Sequence, residues 1–390
     1  MKKGILLLGA AMIASAFSPA FGQDEKPKFK FSPGGRILFD GALFAPRGTQ
    51  FSNGVAVPDI RIGGTAEYGK WKAKIDIGYA FGSLGLKDVF LQYTFDPHNQ
   101  IRAGYFVQQF GYQSSTSSSF KPMVETPLVD SYMNCTGRNL GIMYEYDKGQ
   151  FLATASLIFG DQMNLHANQI GNMSLGGISR LLWRPLHEDG KMAQVGISGW
   201  YQSAYHTREA NEDDKMVTST GFFDYSCNYP TRVDNVTLLS TKIDNACGVT
   251  KLSPELMLSY GRVALEGQYY YMNVNRDNDH PNFTAQGGYG FVRGILFGDS
   301  KYHYSSADGG IATPNPKTLE VVAGYTYTNA NDLKAKICGG ISNDISVTFN
   351  YYINKYMLCR LRYSYTNVRN SETVPNDHVN IIEARIQFKF

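Results

Sequence analysis

Val379-Asn380-Ile381-Ile382-Glu383-Ala384-Arg385-Ile386-Gln387-Phe388-Lys389-Phe390 closes the chain. Ile382, Ala384, Ile386, Phe388 and Phe390 fall in one phase; Glu383, Arg385, Gln387 and Lys389 fall in the other. Strict period-two alternation predicts a strand with one apolar and one polar face. A strand of a soluble sandwich shows the same pattern. The decisive question is how often the pattern recurs and what the apolar phase tolerates.

It recurs along the whole chain. Alternation and turn residues predict sixteen strands, over 35–44, 58–68, 70–81, 85–95, 99–108, 137–147, 149–160, 172–183, 192–204, 252–260, 262–274, 283–297, 318–328, 344–353, 356–368 and 379–390. The apolar phase carries no charge in the clearest strands, as in Trp71, Ala73, Ile75, Ile77, Tyr79 and in Ile345, Val347, Phe349, Tyr351, Ile353. The opposite phase holds Lys72, Lys74, Asp76 and Ser346, Thr348, Asn350. Lys or Arg facing lipid at the midplane costs roughly 2–4 kcal/mol, so a lipid-facing phase must be this clean. An unpaired strand edge cannot be hydrated in lipid, so the sheet must close. The expectation is an all-β fold, one transmembrane antiparallel β-barrel of about sixteen strands with an aqueous interior. A final strand that stops on an aromatic also resembles the C-terminal signature of bacterial outer-membrane barrels, which implies the outer-membrane assembly machinery as a partner.

Composition agrees. There are 26 Tyr and 23 Phe, enough for interfacial girdles. Mean hydropathy is −0.28, which a barrel tolerates because half of each strand faces the lumen. Lys2 and Lys3, the apolar run 4–17 and Ala20-Phe21-Gly22 predict a secretory signal peptide over residues 1–22. Residues 23–34 are then a periplasmic N-terminal segment, and 35–390 the barrel. Removing the signal takes away two of the 37 basic residues and none of the 34 acidic ones. The near-neutral balance that remains argues against a nucleic-acid partner.

Connections alternate between short and long. The exception is 298–317, which should be a periplasmic turn yet is long and holds Pro314 and Pro316. The 109–136 connection contains six consecutive hydroxyl residues ending in Ser117, Ser118 and Ser119, then Lys121, with Arg138 beyond it. Hydroxyls and cations can together bind an oxyanion if this third loop folds inward. The same composition also suits a solvent-exposed Ser-rich loop. Cys227 and Cys247 lie in one long polar segment and form a candidate disulfide in an oxidising compartment. No CxxC pair or His/Cys cluster suggests a metal site, and no cofactor is called for.

Several stretches resemble the phosphate-selective porin O and P family: Gly34 to Gly41, Asp59 to Gly64, Lys87 to Tyr93, Gly137 to Gly141, Gly294 to Tyr327 and Asp344 to Tyr365. The resemblance implies a trimeric outer-membrane porin of sixteen strands with an inward-folding third loop. By motif position it assigns Arg36, Arg61, Asp88, Arg138 and Lys121 to an anion path. The phosphate-selective members have adjacent arginines in the second strand, whereas here Ile60 precedes Arg61. That departure weakens the expectation of phosphate specificity.

Most lumen charges should pair across strands. Arg360 and Arg362, on consecutive inward positions, are the candidates for an unneutralised basic track. The expected function is passive diffusion of small hydrophilic solutes, anions preferred, phosphate or polyphosphate among them. A structural or adhesive barrel, using the 205–251 loop, is the alternative. A barrel-embedded hydrolase is a weaker one, since all seven histidines are expected in turns or loops rather than on a strand face.

Overall fold

The computed structural model describes residues 27–80, 83–159, 174–205, 208–210, 216–218, 221–277 and 279–390. The predicted signal peptide lies outside them. Sixteen strands close into one barrel with every neighbouring pair antiparallel. They are β1 Lys30–Pro46, β2 Gly54–Tyr68, β3 Trp71–Ala80, β4 Ser83–Asp96, β5 Asn99–Val107, β6 Arg138–Lys148, β7 Phe151–Ile158 and β8 Gly176–Glu188. They continue as β9 Lys191–Ser203, β10 Ala246–Tyr260, β11 Val263–Arg276, β12 Phe283–Phe297, β13 Thr318–Asp332, β14 Ile337–Tyr352, β15 Met357–Ser371 and β16 Asp377–Lys389.

The last strand closes the ring. β16 pairs with β1 from Arg36 opposite Lys389 to Pro46 opposite Val379. Beyond that register, Gly35 and Phe390 exchange two backbone hydrogen bonds of 3.0 and 3.1 Å. A Cβ on Gly35 would stand 2.5 Å from the Phe390 ring and 2.8 Å from the Arg61 carbonyl, so glycine is needed there. β1 begins at Lys30, so part of the expected 23–34 segment belongs to the sheet. Its Lys30 to Gly34 are held by β2 from Glu67 to Gly63. β8 also sits later than expected, ending at Glu188 rather than 183, because Leu186 to Glu188 continue to pair with β9.

The apolar phase points outward, with Ile345, Phe349, Ile382 and Ile386 each 42–55% exposed. The polar phase is buried toward the interior, as with Ser346, Thr348, Asn350 and Glu383. Ile345 sits at the middle of β14. Ile345→Arg should therefore lower stability in lipid vesicles by about 2–4 kcal/mol. An unchanged urea midpoint would show that this face does not meet lipid.

Two bulges break the alternation where it matters. Between β1 and β2 the register jumps from Leu38–Asp59 to Asp40–Ala56. Between β3 and β4 it jumps from Ile75–Val89 to Ile77–Leu86. Each places one extra residue on the second strand, which re-aims neighbouring side chains.

Among the described residues three small hairpins lie outside the barrel sheet: 208–210 with 216–218, Phe222–Asn228 with Thr237–Asp244, and Tyr304–Ser305 with Gly310–Ile311. The second carries a buried apolar face of Phe223, Tyr225, Leu238, Leu239 and Ile243. Cys227 and Cys247, the candidate disulfide, are both free. Cys227 is buried in this hairpin opposite Leu239, whereas Cys247 is exposed at the start of β10. His187 and His378 fall within β8 and β16, at their ends, and not in loops as expected; His166 and His206 lie outside the described residues.

Candidate functional site

The connection 108–137 is bonded to polar-phase side chains around the barrel. Arg36 of β1 donates from Nη1 to Ser118 Oγ (3.0 Å) and Ser119 Oγ (3.1 Å). Gln387 Nε2 donates to the Ser119 carbonyl at 3.0 Å. Asn350, Arg360 and Arg385 donate to the carbonyls of Pro122, Met123 and Val124 at 2.7, 2.7 and 2.6 Å. On the other flank Tyr270 donates to Asp130 at 2.8 Å, Lys251 to the Met133 carbonyl at 2.7 Å, and Arg180 to Ser115 Oγ at 2.6 Å. The long 298–317 connection meets the same segment: the Ile311 amide donates to Tyr112 Oη at 3.2 Å. Tyr112, Tyr302 and Ile311 pack with Met192, Met257, Ala264 and Ile295 in one apolar cluster. These contacts give an unusually long turn a reason for its length.

Beside Ser118 and Ser119 stands a charge cluster on β1 to β4 and β6. Asp59 accepts from Arg36 Nε (3.0 Å) and Nη2, and from Arg61 Nε at 3.1 Å. Asp88 accepts from Arg138 Nε at 2.8 Å and Lys74 Nζ at 3.0 Å. Lys74 also pairs with Asp76 at 2.9 Å. Lys87 lies beside them, over Gly78 of β3, which pairs with Arg61 of β2. It has no ion-pair partner within 4.0 Å among the described residues. Its side chain runs across Gly78, where an added Cβ would come within 2.4 Å of Lys87 Cε. Among the described residues five cations thus face three carboxylates, an excess of two positive charges.

Sequence positions predicted for the site divide into two groups. Arg36, Arg61, Asp88, Arg138, Ser118 and Ser119 come together. Ser117 does not reach the arginines; its Oγ accepts from the Ser119 amide at 3.4 Å. Lys121 is buried under its own loop, where Nζ donates to Thr126 Oγ1 at 3.3 Å. Burial pushes the Lys121 ammonium down to about 8. Burial opposes the charge of the neighbouring Glu125 carboxylate, but Arg232 and Arg385 outweigh it and hold Glu125 below its ordinary value.

Arg360 and Arg362 do not form an open basic track. Arg362 pairs with Asp344 at 3.2 Å, lies 3.7 Å from Glu383, and caps the Pro230 carbonyl. Arg360 meets no carboxylate within 4.0 Å among the described residues, but its exposure is only 4%. Loops reaching back onto the wall cover both.

Two members of the cluster escaped the sequence reading. Asp59 lies two residues before Arg61, on the same face by period two, so that signal was present. Lys87 was hidden by the β4 bulge. Strict alternation puts it in the phase opposite Asp88, whereas the extra residue lets both serve the polar side.

A closed sixteen-stranded antiparallel barrel with an apolar exterior and a charged and hydroxylated interior is the architecture of an outer-membrane porin. The phosphate-selective porin O and P profile matches residues 56–390, so the chain belongs to that family and resides in the bacterial outer membrane. Among solved structures it is similar to OmpT of Vibrio cholerae in its loop L8 deletion form, at 12% identity and TM-score 0.56, covering 93% of this chain and 99% of that one. It is similar to OprB of Pseudomonas putida at 8% identity and TM-score 0.55, covering 93% and 94%. Salmonella typhi OmpF, solved with daunomycin, gives 12% identity and TM-score 0.53, covering 92% and 97%. At these identities the likeness speaks to the fold. No curated protein sequence matches the chain.

Proposed function

We propose that the chain is a homotrimeric passive channel, and not an enzyme, that prefers small anions. In this reading the 108–137 loop lies across the lumen and constricts it. The Arg36, Arg61, Lys87 and Arg138 cluster supplies the attraction. The observation that carries the preference is the excess of two positive charges, one of them on a lysine without a carboxylate partner among the described residues. Fixed charge along a low-dielectric wall concentrates counter-ions near it. Ser118 and Ser119 place hydroxyls beside those cations, where they can replace part of an anion's hydration. Binding must stay weak enough for exit, and three carboxylates among the cations serve that end.

The family's name raises phosphate, or polyphosphate, as the solute. The outward Ile60, 39% exposed, leaves β2 with a single arginine facing Asp59. We therefore read the cluster as a general anion filter.

The test is the reversal potential of purified protein in a planar bilayer across a KCl gradient. A unit charge about 10 Å from the ion path is worth roughly 0.4 kcal/mol in water. That is about twofold on each ion, so Arg61→Ala or Arg138→Ala should lower the chloride-to-potassium permeability ratio about fourfold. Unchanged reversal potentials in both variants would sink the assignment.

A further inference from the structure

A cavity of about 560 Å³ opens between the 108–137 loop and the Phe222–Asn228/Thr237–Asp244 hairpin. Its walls carry Thr126, Ser131, Ser226, Asn228, Thr231 and Asn235. Hydroxyl and amide groups both donate and accept, so they suit a ligand that does the same at several adjacent positions. Leu128 and Pro230 contribute apolar patches between them. Among the described residues only two charged side chains line it, and they cancel: Arg232 Nε donates to both carboxylate oxygens of Glu125 at 3.0 Å.

This lining does not suit a bare oxyanion. Glu125 would repel it, and the volume falls in the range of pockets that hold whole organic molecules. Yet the cavity stands beside the anion cluster. Arg385 of β16 bonds both Glu125 at the cavity and Asp40 of β1, and Gln387, the next inward residue, holds the Ser119 carbonyl beside Arg36. A solute that satisfies both has an anionic group for the cluster and a neutral polyhydroxylated body for the cavity.

We infer that the channel's favoured solutes are phosphorylated sugars or similarly built organic anions, with the anion on the Arg36–Arg61–Lys87 cluster and the hydroxyls in this cavity. The inference rests on the anion-preferring reading above and narrows its substrate class. Arg61 and Lys87 are half-buried and Ser226 and Asn228 exposed, so contacts to them can form and break as passage requires, while the buried Arg36 acts through its charge alone.

The experiment compares block of KCl current in a planar bilayer by D-glucose 6-phosphate, inorganic phosphate and D-glucose. Glucose 6-phosphate should block at concentrations at least tenfold below phosphate, and glucose should do so least. Ser226→Val and Asn228→Leu alter exposed hairpin positions whose side chains face solvent rather than the packed core. Together they should weaken the glucose 6-phosphate block about fivefold and leave phosphate block and reversal potential as they were. Phosphate blocking as well as its sugar ester, or a double variant that affects neither or both equally, would overturn the inference. In those outcomes a normal anion preference leaves the anion filter standing. A reversal potential without anion preference removes both readings.

Discussion

Arg293→Ala should destabilise the barrel by about 3–5 kcal/mol, the cost of leaving a buried carboxylate without its partner. Arg293 projects from β12 between strands β11 and β13. Its Nη1 donates to Glu266 at 3.1 Å, while Nε and Nη2 reach Glu320 at 2.9 and 2.8 Å. All three side chains are 2% exposed or less. Glu320 draws further donors from Tyr302 and Tyr352, both at 2.9 Å, and from Asn350 at 3.1 Å. Truncating the arginine strands two carboxylates near each other in a space with little water. Arg293→Lys keeps the charge but loses the planar fork that serves both partners, so an intermediate loss is expected. The triple variant Arg293→Met, Glu266→Gln, Glu320→Gln removes the uncompensated charge and should recover most of the deficit. Urea unfolding in lipid vesicles measures all three. An Arg293→Ala midpoint equal to wild type would mean that the lumen hydrates this triad freely.

The same triad marks what the sequence makes legible. Glu266 and Glu320 stand in the polar phase of their strands, and sixteen strands, their order and their facing follow from period two. The long-range bonds do not follow. Glu125 and Arg232 sit in two irregular connections over a hundred residues apart, and no periodicity relates them. Their pairing depends on how the loops fold back onto the wall. That is also why Arg360 and Arg362 look like a free basic track in sequence and are covered in the structure: their partners are the carbonyls of Met123 and Pro230. Bulges set a second limit. A single inserted residue changes the facing of its neighbours, and nothing in Lys87-Asp88 itself signals the insertion. Sheet pattern is a local property and survives in the sequence; loop closure and register slips are properties of pairs of segments.

Lys87 is therefore where the charge argument can be pressed hardest. Removing Arg36 or Arg61 also breaks a bond to Asp59, so altered conductance in those variants mixes lost charge with altered packing. Among the described residues Lys87 has no carboxylate partner to orphan. Lys87→Glu should leave the fold intact and shift the cluster by two charge units, from an excess of two positive charges to balance. At about 0.4 kcal/mol per unit charge for an ion passing roughly 10 Å away, the chloride-to-potassium permeability ratio should fall by about an order of magnitude. The pore should then show little preference between the ions. The effect should be largest at low salt and shrink as the Debye length falls from about 30 Å at 0.01 M to about 3 Å at 1 M. Lys87→Gln should produce roughly half the logarithmic change. A Lys87→Glu reversal potential indistinguishable from wild type at 0.01 M KCl would place the ion path away from this wall. A shift that persisted undiminished in 1 M KCl would point instead to a rearranged loop, because simple screening does not spare a through-space charge effect.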